Sequence, residues 1–171
     1  MGKQPVTVRL YRFQNRLKER CAGLSTGTTT ISPEAIAAAE GMLEKMAEDY
    51  PDWVSALLLT LQEKHSRCVD TPEDRKELFQ EINSIAHDMK GQGGTFGYPL
   101  MTHFADGLFS ITDGRGNYTD NQIELVKSHL DAMRAVIKAR LKGDGGAIGK
   151  ELSETLDKAL EKYTKAEAEA D

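Results

Sequence analysis

Residues 77–97 read ELFQEINSIAHDMKGQGGTFG. On a helical wheel of about 100° per residue, Leu78, Ile82, Ile85, Met89 and Phe96 gather on one side, which marks the core face of an amphipathic helix. By the same count His87 falls about 170° from the centre of that stripe and faces away from the core. Gln80, Asn83 and Ser84 precede it on the outer side, and Gly91 and Gly94 follow it one and two turns on. Four of the last seven residues are glycine, each costing a helix interior about 1 kcal/mol relative to alanine. Gly97 suits a C-cap, and Gly93, towards the core side, suits close helix packing. Gly91 and Gly94 leave the surface beside the imidazole without side chains, so another backbone can come close.

The same helical pattern extends in both directions. Ser32 as N-cap and Pro33 in the first turn open a helix to about Tyr50. Pro51 is expected to break or kink it, and a second helix then runs to about Cys68. Thr71 and Pro72 start the helix that carries His87, expected to end near Phe96–Gly97. A fourth helix spans about 98–112, TDGRGN forms a loop, and Thr119 or Asp120 caps a fifth helix to about Leu141. KGDGG at 142–146 is a break. The tail carries Ile148, Leu152, Leu156, Leu160 and Tyr163 at helical spacing. No strand pattern competes. The expectation is an all-α chain, an antiparallel four-helix bundle with additional N- and C-terminal helical segments. Its parts are a basic arm and linker at 1–32, the bundle at 33–142 and an amphipathic helix at 143–171, whose apolar stripe is expected to pack on the bundle rather than on a second copy. A monomer follows.

Composition narrows the function classes. Of 171 residues, 39% are hydrophobic and 29% charged, as in a soluble helical domain. Cys21 and Cys68 form no CxxC pair and no disulfide framework, so a reducing cytoplasm is the default. No apolar run reaches transmembrane length, and the start lacks the apolar stretch of a signal peptide. The net charge of −5 divides into +5 on residues 1–20 and −10 on the rest. An acidic body argues against a nucleic-acid-binding core. The basic arm suits an acidic partner, nucleic acid or membrane, or, most simply, the chain's own acidic body.

HDMKGQGGTFG, residues 87–97, resembles the signature of histidine-containing phosphotransfer (HPt) domains: a histidine, a lysine three residues on, and glycines four and ten on. Those positions hold His87, Lys90, Gly91 and Gly97. GGTFG is similar to the N-terminal phosphotransfer domain of chemotaxis histidine kinases. The signature covers about a dozen residues, and the expected bundle suits the family's fold. The resemblance implies a two-component phosphorelay in which response-regulator receiver domains, and a hybrid histidine kinase as a donor, exchange a phosphoryl group with His87. Nε2 would attack phosphorus, Lys90 would offset phosphoryl charge, and Gln80, Asn83, Ser84, Gly91 and Gly94 would frame the docking surface. No cofactor or metal is expected in this chain, because the Mg²⁺ of such transfers belongs to the receiver. Chemotaxis-type domains orient the histidine with a histidine and a glutamate three apart on the next helix. Here His103 and Asp106 have that spacing, but aligned from Gly97 they arrive one turn early and Phe109 takes the glutamate's place. The simpler reading is that they flank an ordinary core stripe.

Two other classes compete. His65, His87, His103 and His129 lie on four expected helices, as a metal bundle requires, but a di-iron site needs glutamate three residues before histidine. Those positions hold Gln62, Ser84, Leu100 and Val126. A helical binding or scaffold module without phosphotransfer is the alternative. Nothing after residue 112 reads as an ATP-binding kinase domain, so the expected role is a phosphocarrier rather than a kinase.

Overall fold

The structure, a computed structural model, describes residues 32–114 and 118–168. The basic arm and linker expected at 1–32 therefore lie outside the described residues, Ser32 excepted. The described residues form five α-helices and no strand: α1 Pro33–Asp70, α2 Arg75–Gln92, α3 Pro99–Ile111, α4 Asp120–Lys138 and α5 Gly146–Ala168. A 3₁₀ turn, Pro72–Asp74, leads into α2. The chain divides into two compact units, 1–39 and 40–171. In the first, the described part is the start of α1, where Ser32 Oγ accepts from the Ala35 backbone N–H at 3.2 Å, the N-cap read from the sequence. All that follows concerns the second unit.

Pro51 does not break α1. The helix runs uninterrupted through it, which corrects the two shorter helices expected there. Proline in a helix interior forfeits one backbone bond and costs about 3 kcal/mol. Here Tyr50, Pro51, Val54, Leu58 and Leu61 are buried, so apolar packing on both sides of the proline holds the helical path. The Ser55 hydroxyl donates to the Pro51 carbonyl at 2.7 Å.

The helix carrying His87 also ends earlier than its pattern implied, at Gln92 rather than Phe96–Gly97. Residues 93–97 form a turn in which Gly97 takes φ +83° and the Tyr98 N–H donates to the Gly93 carbonyl at 2.8 Å. A positive φ at Gly97 is the capping geometry that glycine adopts without a Cβ penalty. Tyr50 pins this turn from α1, its ring centroid 4.9 Å from Phe96 and 5.4 Å from Tyr98.

Helix α2 packs on α3, and α3 on α4. Thr119 caps α4 in a full capping box, accepting from the Gln122 N–H while Gln122 Oε1 accepts from the Thr119 N–H. α4 stops at Lys138, three residues before the expected end, where Arg140 takes φ +50°. α5 packs against both α3 and α4 through Leu152, Leu156, Leu160 and Tyr163, while Ile148 of the same stripe points to solvent. Arg75 ties three elements together. Its guanidinium donates to the Cys68 and Tyr118 carbonyls and pairs with Asp120 at 2.8 Å. Cys68 is a buried free thiol, which burial pushes up to about 11. No helix among the described residues is long and apolar enough to cross a membrane.

Candidate functional site

His87 lies in the middle of the exposed face of α2, with its side chain 70% accessible. The wheel placed it there from the stripe Leu78, Ile82, Ile85, Met89 and Phe96, of which Leu78, Ile82 and Met89 are buried and Ile85 and Phe96 half-buried. The imidazole rests on the ring of Phe109 from α3, with centroids 5.7 Å apart. Its Nδ1 is 3.7 Å from Asp88 Oδ1, beyond hydrogen-bond length but within electrostatic reach.

Lys90, one turn on, sits with its Nζ 5.5 Å from the centre of the same Phe109 ring and 2.5 Å from Asp106 Oδ1. His87, Lys90, Asp106 and Phe109 thus form one surface group across α2 and α3. Asp106 and His103, the pair that could have oriented His87, are drawn apart. Asp106 engages Lys90, and His103 Nε2 pairs with Asp157 of α5 at 3.0 Å. Asp88 and Phe109 are the neighbours of the imidazole that the spacing did not single out for contact. Phe109 had a signal, its place in the motif comparison made from the sequence; Asp88, adjacent in sequence, had none.

The glycines separate by environment. A Cβ on Gly91 would meet nothing within 4 Å, whereas one on Gly93 would press on the Thr102 N at 2.7 Å and the Tyr98 O at 2.8 Å. Gly94 lies two residues past the end of α2, and its N–H donates to Thr102 Oγ1 at 2.9 Å. Gln80 and Ser84 are exposed on α2. Asn83 is half-buried, and its amide donates to the Phe109 carbonyl at 2.8 Å and to Thr112 Oγ1 at 3.1 Å. It closes the C-terminal end of α3, whose last carbonyls lack helical partners. Asn83→Ala is therefore expected to lower unfolding free energy by about 1–2 kcal/mol, read as a lower urea midpoint.

The other histidines have structural partners. His65 Nε2 lies 3.2 Å from the Ile123 carbonyl. His129 is buried with Nδ1 2.8 Å from the Leu125 carbonyl, and burial holds its imidazole below the ordinary histidine range. Gly107 makes room for that ring, since a Cβ there would fall 2.5 Å from Nε2. Among the described residues no three His, Cys, Asp or Glu side chains converge as metal ligands. Beside the turn that ends α2, a groove of about 400 Å³ is lined by Met46, Asp49, Tyr50, Trp53, Gln92 and Phe96. No protein-family model matches the chain, and no curated protein and no solved structure matches it.

Proposed function

We propose that the chain is a histidine phosphotransfer protein, an HPt-like four-helix bundle with an added C-terminal helix that carries a phosphoryl group on His87. The observation that carries the reading is Gly91. Gly93 and Gly107 leave room for neighbours inside the fold, but a side chain on Gly91 would meet open space. Its bare backbone, at a cost of about 1 kcal/mol of helix propensity, makes room for no neighbour among the described residues. It lies one turn from an exposed imidazole, on the side a docking partner would approach.

The chemistry follows from the residues present. The Nε2 lone pair of neutral His87 attacks the phosphorus of a receiver's aspartyl phosphate. The Nε2–P bond forms as the acyl P–O bond breaks, and the carboxylate leaves with the bonding pair. The ring keeps its Nδ1 proton beside Asp88, which balances the positive charge the imidazole acquires. Lys90 offsets the phosphoryl charge. The receiver supplies its own Mg²⁺, and reversal of the same step passes the group on. Such a relay works in the cytoplasm between receiver domains, fed by a histidine kinase.

The test is label transfer from a panel of radiolabelled phospho-receivers to the folded chain. Rapid, acid-labile labelling is expected, because a phosphorus–nitrogen bond hydrolyses in acid. A helical chain that takes label from no receiver would sink the relay and leave a binding module. Gly91→Gln is expected to slow transfer from receivers about tenfold, the equivalent of about 1.4 kcal/mol of lost docking. Direct labelling by phosphoramidate, too small to feel the obstruction, is expected to stay unchanged.

A further inference from the structure

A carrier must give up what it takes, so its phosphorylated form cannot be held too tightly. The structure joins to this requirement a carboxylate that the phosphotransfer step does not use. Asp106 Oδ1 sits 2.5 Å from Lys90 Nζ, the cation nearest in sequence on the His87 face. Lys90 and His87 lean on the same Phe109 ring, at 5.5 and 5.7 Å. Asp106 and Phe109 are three apart on α3 and share one face of that helix. The lysine therefore has two claimants, a carboxylate already in place and a phosphoryl group that arrives on His87.

We propose that Asp106 is a positioning residue that competes with phospho-His87 for Lys90 and so sets how readily the phosphoryl group leaves. This rests on the relay reading above and deepens it. In the unmodified chain Asp106 neutralises Lys90 and draws its charge towards α3. When His87 carries a phosphoryl dianion, Lys90 is shared between it and Asp106, so the carboxylate weakens what the lysine can give the phosphoryl group. That competition raises the energy of the phosphorylated form. Lys90 and Asp106 are about half exposed, with side chains 42% and 51% accessible, so solvent screening keeps the effect modest.

The experiment uses the full chain and phosphoramidate as donor. Nε2 attacks phosphorus, the donor P–N bond breaks and ammonia leaves. After donor removal, ³¹P NMR follows hydrolysis, in which water attacks phosphorus, the Nε2–P bond breaks and inorganic phosphate forms. Asp106→Asn is expected to lengthen the lifetime of phospho-His87 about two- to five-fold, the range of an exposed ion pair. Lys90→Ala is expected to shorten it, and Asp106→Glu to keep the wild-type lifetime. In a Lys90→Ala background the Asp106→Asn effect is expected to shrink to a small remainder, because Asp106 acts through the lysine.

The outcomes separate the two readings. If the wild type takes label at His87 but Asp106→Asn leaves its lifetime unchanged, the competition is overturned and the relay stands. An Asp106→Asn effect of full size without Lys90 also overturns it, since the carboxylate would then act directly. If His87 takes no label, both readings fall.

Discussion

His87→Gln is expected to take up no phosphoryl group, from phospho-receivers or from phosphoramidate, while folding as the wild type does. An imidazole nitrogen is a competent nucleophile near pH 7, whereas the glutamine amide is neither basic nor nucleophilic. The cost to the fold is small. His87 is 70% accessible and makes no hydrogen bond among the described residues, so the change belongs with surface substitutions of about 0.5 kcal/mol or less. Circular dichroism and a urea melt check that half, and label transfer checks the other. The control is His103→Gln. His103 is 45% accessible and is the other histidine a small donor can reach, since His129 is buried and His65 faces a carbonyl. Label retained in His87→Gln and lost in His103→Gln would move the acceptor to α3.

One substitution at two glycines of the same motif is expected to have opposite signs. Gly91→Ala gains helix propensity and meets nothing within 4 Å, so it is expected to stabilise the chain by about 1 kcal/mol. Gly93→Ala is expected to destabilise it by about 2 kcal/mol, the usual cost of overpacking. Its Cβ would meet backbone atoms, the Thr102 N and Tyr98 O, both closer than 3 Å. Neither can rotate away as a side chain could. Relief requires α3 to shift from the end of α2, and that strains the turn held by Gly97 and the Tyr50 ring stack. Equilibrium urea unfolding of the two variants measures the difference, about 3 kcal/mol in total. Equal effects at both sites would show that the motif's glycines are alike.

Much of the fold was legible because its signals are local. The core stripe of α2, the outward direction of His87, the Thr119 cap and the tail's apolar face all depend on residues within a turn or two of one another. Pro51 and the end of α2 were misread for one shared reason. Both boundaries are decided by what packs against the helix: buried Tyr50 and Val54 carry α1 through its proline, and Thr102 with Tyr98 closes the chain after Gln92. The contacts that decide these boundaries, Phe96 and Tyr98 on the Tyr50 ring and Thr102 against Gly93, come from beyond the helical turn being read.

The candidate site divides along the same line. The sequence by itself determined that His87, Lys90 and Gly91 share an exposed surface, because helical periodicity fixes direction once the core stripe is known. Only the tertiary structure decided which side chains meet them from α3. It set Phe109 against the imidazole and paired Asp106 with Lys90. It turned His103 to Asp157 and engaged Asn83 at the end of α3. Spacing along one helix gives the angle of each residue about that helix's own axis. The partner across an interface depends on how far the two helices slide and rotate against each other, which is set by the whole packed core rather than by any short stretch of chain.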